Sequence, residues 1–389
     1  MVTRFLTLLA LLVCLTPLFA YAVETPYEIP VLLSLTGQGA FLGRAEQQTI
    51  ELIGNLVNRS GGIQGRPVKF AFADDQTNPQ IAVQIANNLI AKKVPIILGS
   101  SFTGPCEAMS PLVVKNGPVM YCFAPTIHPK RGGYVFAASV STQDDLFALI
   151  RYFRERGLTR LGFITTTDAG GQQEDRALDL ALALPENKHL AIVAHEHFAP
   201  SDISVTAQVN RIKSANPQAL IAWATGSPFG TLLRGINDAG LDLPIATSPG
   251  DMVYKQLAQY AGFLPKELFF PGLRSMSPEG TAKGPVLNAQ RTYFSAFASI
   301  GVRPDFPNNE VWDTVYVVID ALRHLGTSAT AEQIRNYIDD LHGWVGINGV
   351  YDFGDPEQRG ISGASIVIDR WDAAKKEFIP VSKPGGTPR

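Results

Sequence analysis

Between residues 29 and 247, short apolar runs alternate with segments whose apolar residues recur at helical spacing, and this rhythm limits the folds open to the chain. Ile29–Leu35 is a run of seven that ends in Thr36-Gly37-Gln38-Gly39, the pattern of a buried strand entering a loop. Ala45–Asn58 then places Ile50, Ile53, Leu56 and Val57 on one helical face before Ser60-Gly61-Gly62. The alternation continues with strands over 68–73, 95–98, 119–123, 161–165, 191–197, 219–224 and 244–247. Helices are expected between them, over 79–92, 144–156, 172–184, 204–215 and 228–239, with 110–116 closing another. Repeated βα units imply parallel sheets covered by helices on both faces, with right-handed crossovers. After about residue 274 the texture changes to three helices, over 286–300, 309–325 and 331–341, and then to turn-rich strands over 349–379.

The first 22 residues have a different character. Arg4 precedes the apolar stretch Phe5–Phe19, and Ala20-Tyr21-Ala22 gives the small-x-small pattern of a signal-peptidase site. The apolar stretch is short for a membrane span. A cleaved leader ending at Ala22 and an exported, soluble mature chain are therefore expected. Export bears on Cys106 and Cys122, the two cysteines outside the leader. An oxidising compartment permits a disulfide between them, and two buried free thiols fit the spacing equally well.

The length of 389 residues suggests two domains, and 46% hydrophobic residues suffice for packed cores. A net charge of −2 without a basic block argues against nucleic acid as a partner. Catalytic motifs are missing: there is no phosphate-binding Gly-rich loop, no G-x-G-x-x-G after a strand and no G-x-S-x-G elbow. No cofactor is expected. His195-Glu196-His197 sets two imidazoles on one side of a strand, but no third ligand stands out in the sequence, so no metal is expected.

In open α/β sheets ligands bind beyond the carboxyl ends of the strands, so the loops there carry the information. Gly99-Ser100-Ser101-Phe102-Thr103-Gly104-Pro105 gathers three hydroxyls at the mouth of a helix starting near Pro105, which suits a carboxylate. The other loops are Ala124-Pro125-Thr126, Thr166–Gly171 with Asp168 and Gly170, Trp223–Pro228 with Thr225 and Gly226, and Ser248–Met252 with Asp251. Small polar loops flanked by Phe41, Phe102, Tyr121, Trp223 and Phe229 fit a pocket with apolar walls and a few placed polar groups.

Together these stretches resemble the leucine/isoleucine/valine-binding proteins of ABC importers. The likeness is carried by SLTGQGAFLGRA, NRSGGIQGRPVKFAFADDQTNP, ILGSSFTGP, the Ala-Gly-Leu at 239–241 and the helix Glu-Val-Trp-Asp-Thr-Val-Tyr at 310–316. It implies the type I periplasmic binding fold: two Rossmann-like α/β lobes with parallel-rich sheets, joined by a three-strand hinge and closing over a ligand. The lobes would comprise residues 23–141 with 274–349 and 142–273 with 350–389. By motif, Ser100 and Thr103 match carboxylate-holding positions, with Ser101 between them expected to help hold the carboxylate, Ala124 and Thr126 match the next ligand loop, and Phe41 and Leu42 the wall of the side-chain pocket. The second lobe departs from the amino-acid pattern. Ala169-Gly170-Gly171 stands where a Tyr-Gly is usual, and Gly250 stands where an acid holds the ligand ammonium, with Asp251 one residue later. The resemblance therefore implies a periplasmic, monomeric, non-enzymatic binding protein that serves an ABC permease and its ATPase. Its favoured ligand is a small carboxylate with an apolar, aromatic body. A branched-chain amino-acid binder and a ligand sensor of the same fold are the alternatives.

Overall fold

The computed structural model describes residues 25–278 and 281–389, so the leader expected over residues 1–22 lies outside the described residues. In chain order the first elements are β1 (Tyr27–Leu33), α1 (Ala40–Arg59), β2 (Val68–Asp74), α2 (Pro79–Ala91), β3 (Ile96–Leu98), α3 (Thr103–Val113), β4 (Val119–Cys122) and β5 (Val135–Ala137). Their strands form one sheet in the order β2-β1-β3-β4-β5, parallel throughout. Both faces are covered. Ile29, Val31 and Leu33 of β1 join the large core cluster, while Leu32 between them joins a second cluster with Ala82 and Ala86 of α2 and Met109 of α3. Burial on both faces explains why these strands read as continuous apolar runs.

The chain goes on through α4 (Thr142–Glu155), β6 (Arg160–Thr166), α5 (Ala169–Leu182), β7 (Ala191–Phe198), α6 (Thr206–Ser214), β8 (Ala219–Trp223), α7 (Ser227–Asp238), β9 (Ile245–Ala246), α8 (Tyr254–Gln259) and β10 (Leu268–Gly272). Three helices follow: α9 (Pro285–Ala298), α10 (Phe306–Leu325) and α11 (Ala331–Asp339). The chain ends with β11 (His342–Val345), β12 (Val350–Asp352), β13 (Val367–Asp372) and β14 (Glu377–Pro380). The second sheet has the order β14-β13-β10-β9-β8-β6-β7. It is parallel from β10 to β7 and antiparallel where β13 joins β10 and β14 joins β13. β11 and β12 make a separate two-stranded ribbon.

Helix α10 returns to the first sheet and packs along α1. Asn308 donates to the Ala45 carbonyl at 3.1 Å and to Thr49 Oγ1 at 3.0 Å. Its amino end also touches the second half, where the Phe306 N–H donates to the Met252 carbonyl at 3.3 Å. Four elements are additional to the alternation read from the sequence: β5, α8, β10 and β11. β10 is the most instructive, because Pro271 inside Leu268–Gly272 lacks the N–H that a central strand uses. The strand survives because its first two residues pair with β9 and its last four with β13. No described helix is long and apolar enough to cross a membrane.

Cys106 of α3 and Cys122 of β4 form a disulfide, both fully buried in the second core cluster. This resolves the pairing left open by the sequence and ties α3 to the sheet across 16 residues of chain. Closing a loop of that length restricts the unfolded ensemble. Replacing both cysteines with alanine should lower unfolding free energy by about 2–4 kcal/mol in urea titrations, with an m-value that rises as the unfolded chain is released.

Candidate functional site

The carboxyl ends of the two parallel sheets face each other, and a cavity of about 260 Å³ lies between them. The polarity of βα units dictates its lining: each loop after a strand runs into a helix N-terminus, so α3, α5 and α7 all begin at the cavity. On the first side, α3 starts at Thr103, two residues before the start expected from Pro105. Its N-cap is Phe102, which makes no side-chain cap, so the first-turn N–H groups are without a capping acceptor. Thr103 and Thr126 are hydrogen-bonded hydroxyl to hydroxyl. On the opposite side, Asp168 caps α5 by accepting from the Gly171 N–H at 3.1 Å, and its Oδ1 also accepts from Thr166 Oγ1 at 2.8 Å. The two sides approach closely: a Cβ built on Gly170 would lie 3.6 Å from Thr103 Oγ1.

Ten of the fourteen residues singled out from the sequence line the cavity: Leu42, Ser101, Phe102, Thr103, Ala124, Thr126, Asp168, Gly170, Trp223 and Thr225. The other four take different places. Ser100 turns away and donates to Asp75, which also accepts from Ser34 at 2.8 Å. Phe41 packs toward Gly226 instead of walling the cavity. Gly226 holds a φ of +85° and supports the loop; its N–H donates to Asp251 Oδ1 at 3.1 Å. Asp251 is fully buried beneath that loop, off the cavity wall.

The cavity also takes residues that strand-end reasoning did not select, among them Gln38, Thr77, Ser248, Phe306 and Glu310. Phe306 and Glu310 come from α10, far along the chain from the loops of the first sheet, so no local pattern connects them. No lysine or arginine lines the cavity among the described residues. An anion here would be held by hydroxyls and helix N-termini instead of a fixed cation.

The acids around the cavity are unusual. Glu310 is buried and its Oε1 has no hydrogen-bond partner. Burial, and then the nearby Glu46 and Asp145, hold its pKa well above the ordinary carboxylate range. Glu46 accepts from Ser101 and is pushed by burial up to about 8. Burial likewise raises Asp251 well above its ordinary value, Asp305 to about 7 and Asp313 to about 6. These groups hold protons in the folded state that they release in the unfolded one. The stability they contribute is complete below about pH 4.5 and is lost as the pH rises through about 6 to 8. The melting temperature should therefore fall between about pH 5 and pH 8, and Glu46→Gln should flatten that fall while raising stability at the alkaline end. A melting curve as steep in Glu46→Gln as in the unsubstituted protein would contradict this assignment.

The sequence profile of the periplasmic binding protein family matches residues 26–374. Among curated relatives, Leu/Ile/Val-binding protein homolog 3 of Brucella melitensis is 25% identical over 258 residues, which cover 60% of this chain and 63% of that protein. BraC3, a Leu/Ile/Val-binding protein of Rhizobium johnstonii, is 22% identical over 60% of this chain and 64% of its own length. The match thus spans less than two thirds of either relative.

Solved structures align over nearly the whole chain. An extracellular ligand-binding receptor from Rhodopseudomonas palustris HaA2 gives a TM-score of 0.79 at 21% identity, over 92% of this chain and all of that one. The Streptococcus pneumoniae protein LivJ, in complex with isoleucine, gives 0.74 at 17% identity, over 92% and 99%. A solute-binding protein from R. palustris in complex with benzoate gives 0.78 at 16% identity, over 92% and 95%. At such identities the likeness establishes the fold.

Proposed function

The chain belongs to the periplasmic binding protein family, and on that premise we propose that it is the non-enzymatic solute-binding component of an ABC importer. In this reading it is a periplasmic monomer that captures a small carboxylate with an apolar, aromatic body and delivers it to a membrane permease. The observation that carries the reading is the make-up of the cavity. Uncapped α3 and the hydroxyls of Ser101, Thr103 and Thr126 lie at one part of it, with Phe102, Trp223 and Leu42 as apolar walls. A carboxylate would accept from the α3 N–H groups and from the one free hydrogen of the Thr103–Thr126 hydroxyl pair, and a flat ring would rest on Trp223 and Phe102. Glu310, protonated by virtue of its raised pKa, would donate a hydrogen bond to the same ligand.

The same residue favours one competing reading. Glu310 is a carboxylate at the cavity wall with a free oxygen, which is also what an α-ammonium would seek. Under that reading the ligand is a branched-chain or other amino acid, and the acid lies on α10 rather than at Asp251.

Titration calorimetry with benzoate-like, cinnamate-like and branched-chain ligands separates the two. For an aromatic acid, Thr103→Val should cost about 1–3 kcal/mol of binding free energy, because a hydroxyl to a charged group is lost. Trp223→Ala should cost about 1.5–3 kcal/mol through lost apolar burial. Glu310→Gln keeps a donor and should leave aromatic-acid binding little changed, whereas it should weaken an amino acid by at least about 2 kcal/mol. Tight binding of leucine or valine by the unsubstituted protein, with no response to any aromatic acid, would overturn the favoured ligand class.

Capture is proposed to proceed by closure of two lobes, residues 23–141 with 274–349 and 142–273 with 350–389, about their crossovers. A ligand drives closure only by binding the closed state better than the open one. The radius of gyration from small-angle scattering should fall at saturating ligand, and an unchanged scattering profile would count against closure.

A further inference from the structure

On the far side of the second sheet's edge, the structure supplies what the sequence lacked around His195 and His197. Strand β7 is the last strand of that sheet, and its residues 195 and 197 project to one face while Glu196 projects to the other. Glu196 is occupied by a two-pronged pair with Arg211, at 2.8 and 2.6 Å. Helix α5 brings Asp175 over the histidine face. Asp175 Oδ1 stands 2.8 Å from His195 Nε2, and Oδ2 stands 2.9 Å from His197 Nε2. Two imidazole nitrogens and a carboxylate thus converge, with their ligand atoms all within 4.8 Å of one another. The imidazoles lie with ring centroids 4.7 Å apart, and the buried ring of Phe163 meets His195 edge-on at 5.1 Å, which fixes its orientation.

We propose that Asp175, His195 and His197 form a surface site for a divalent first-row transition ion of the zinc class. The donor set is two imidazoles and one carboxylate, which suits such an ion and leaves a fourth position for water. Metal–ligand bonds of about 2.0–2.2 Å in tetrahedral array place ligand atoms roughly 3.3 Å apart. The 2.8 and 2.9 Å contacts run to the two different oxygens of Asp175, so one oxygen must turn toward the ion while the ligand atoms, now within 4.8 Å of one another, draw together by up to about 1.5 Å through side-chain rotation. All three side chains are partly exposed, between 29% and 40%, so an ion can enter and retain water. The site is distinct from the ligand cavity and lies on the same helix, since α5 presents Gly170 and Gly171 to the cavity from its first turn. A bound ion would fasten the second turn of α5 to the sheet edge.

The test uses untagged mature protein, stripped with a chelator and titrated with zinc chloride by calorimetry, with cobalt as an optical probe of coordination. One zinc ion per chain should bind, and the melting temperature should rise with zinc concentration. His197→Gln and Asp175→Asn should each weaken binding by more than about tenfold and remove the thermal shift. Both substitutions are on the surface, and an unchanged circular dichroism spectrum would confirm intact folding. Absence of saturable zinc binding, or equal affinity in the protein and both variants, would overturn the proposal.

Discussion

Parallel strand pairing is the constraint on which the molecule rests. When every strand of a sheet runs the same way, all strand-to-helix loops gather on one edge, and every helix that follows aims its amino end there. One such sheet and a second whose parallel strands run from β10 to β7, set with these ends facing, create a region where loop hydroxyls and helix N-termini from distant parts of the chain meet. The cavity between Thr103 and Gly170 is the product of that polarity. The same pairing buries both sheet faces, which is why β1 sends Val31 to one core and Leu32 to the other.

Much of this was legible in the sequence because doubly buried strands and amphipathic helices carry strong local signals. The elements that escaped notice are those with a tertiary origin. Val135–Ala137 is three residues long and owes its strand character to β4 alongside it. Leu268–Gly272 contains a proline that argues against a strand until β9 and β13 are seen to divide its pairing. The candidate site divides the same way. Residues directly after strands, such as Phe102 and Trp223, line the cavity because topology places them there whatever their neighbours. Ser100 was misplaced because Asp75, buried beneath it, competes for the hydroxyl. Asp251 was misplaced because it serves the loop at Gly226. Glu310 and Phe306 reach the cavity only through the packing of α10 on α1, a relation that no spacing encodes.

The electrostatics of the cavity follow from a scarcity of cations. Acids collect around it without a lysine or arginine in its wall, so burial acts on them uncompensated and raises their pKa values toward the neutral form. A protonated carboxylic acid is a hydrogen-bond donor, and neutral donors with helix dipoles can bind an anion while leaving it free to depart. A buried guanidinium pair would hold such an anion more strongly.

Gly226 shows how finely the separation of the two sides is drawn. A Cβ built there would lie 2.7 Å from the Gln38 carbonyl oxygen, on the loop after β1 of the opposite sheet, and 3.1 Å from the Phe41 ring in the first turn of α1. Its φ of +85° also disfavours any larger residue. The missing side chain therefore acts as a gauge block: its thickness, a hydrogen instead of a methyl, defines how near the two rims can come. One carbon atom inserted there would stand in the seam like a doorstop, pressed against the Gln38 carbonyl at the rim of the cavity.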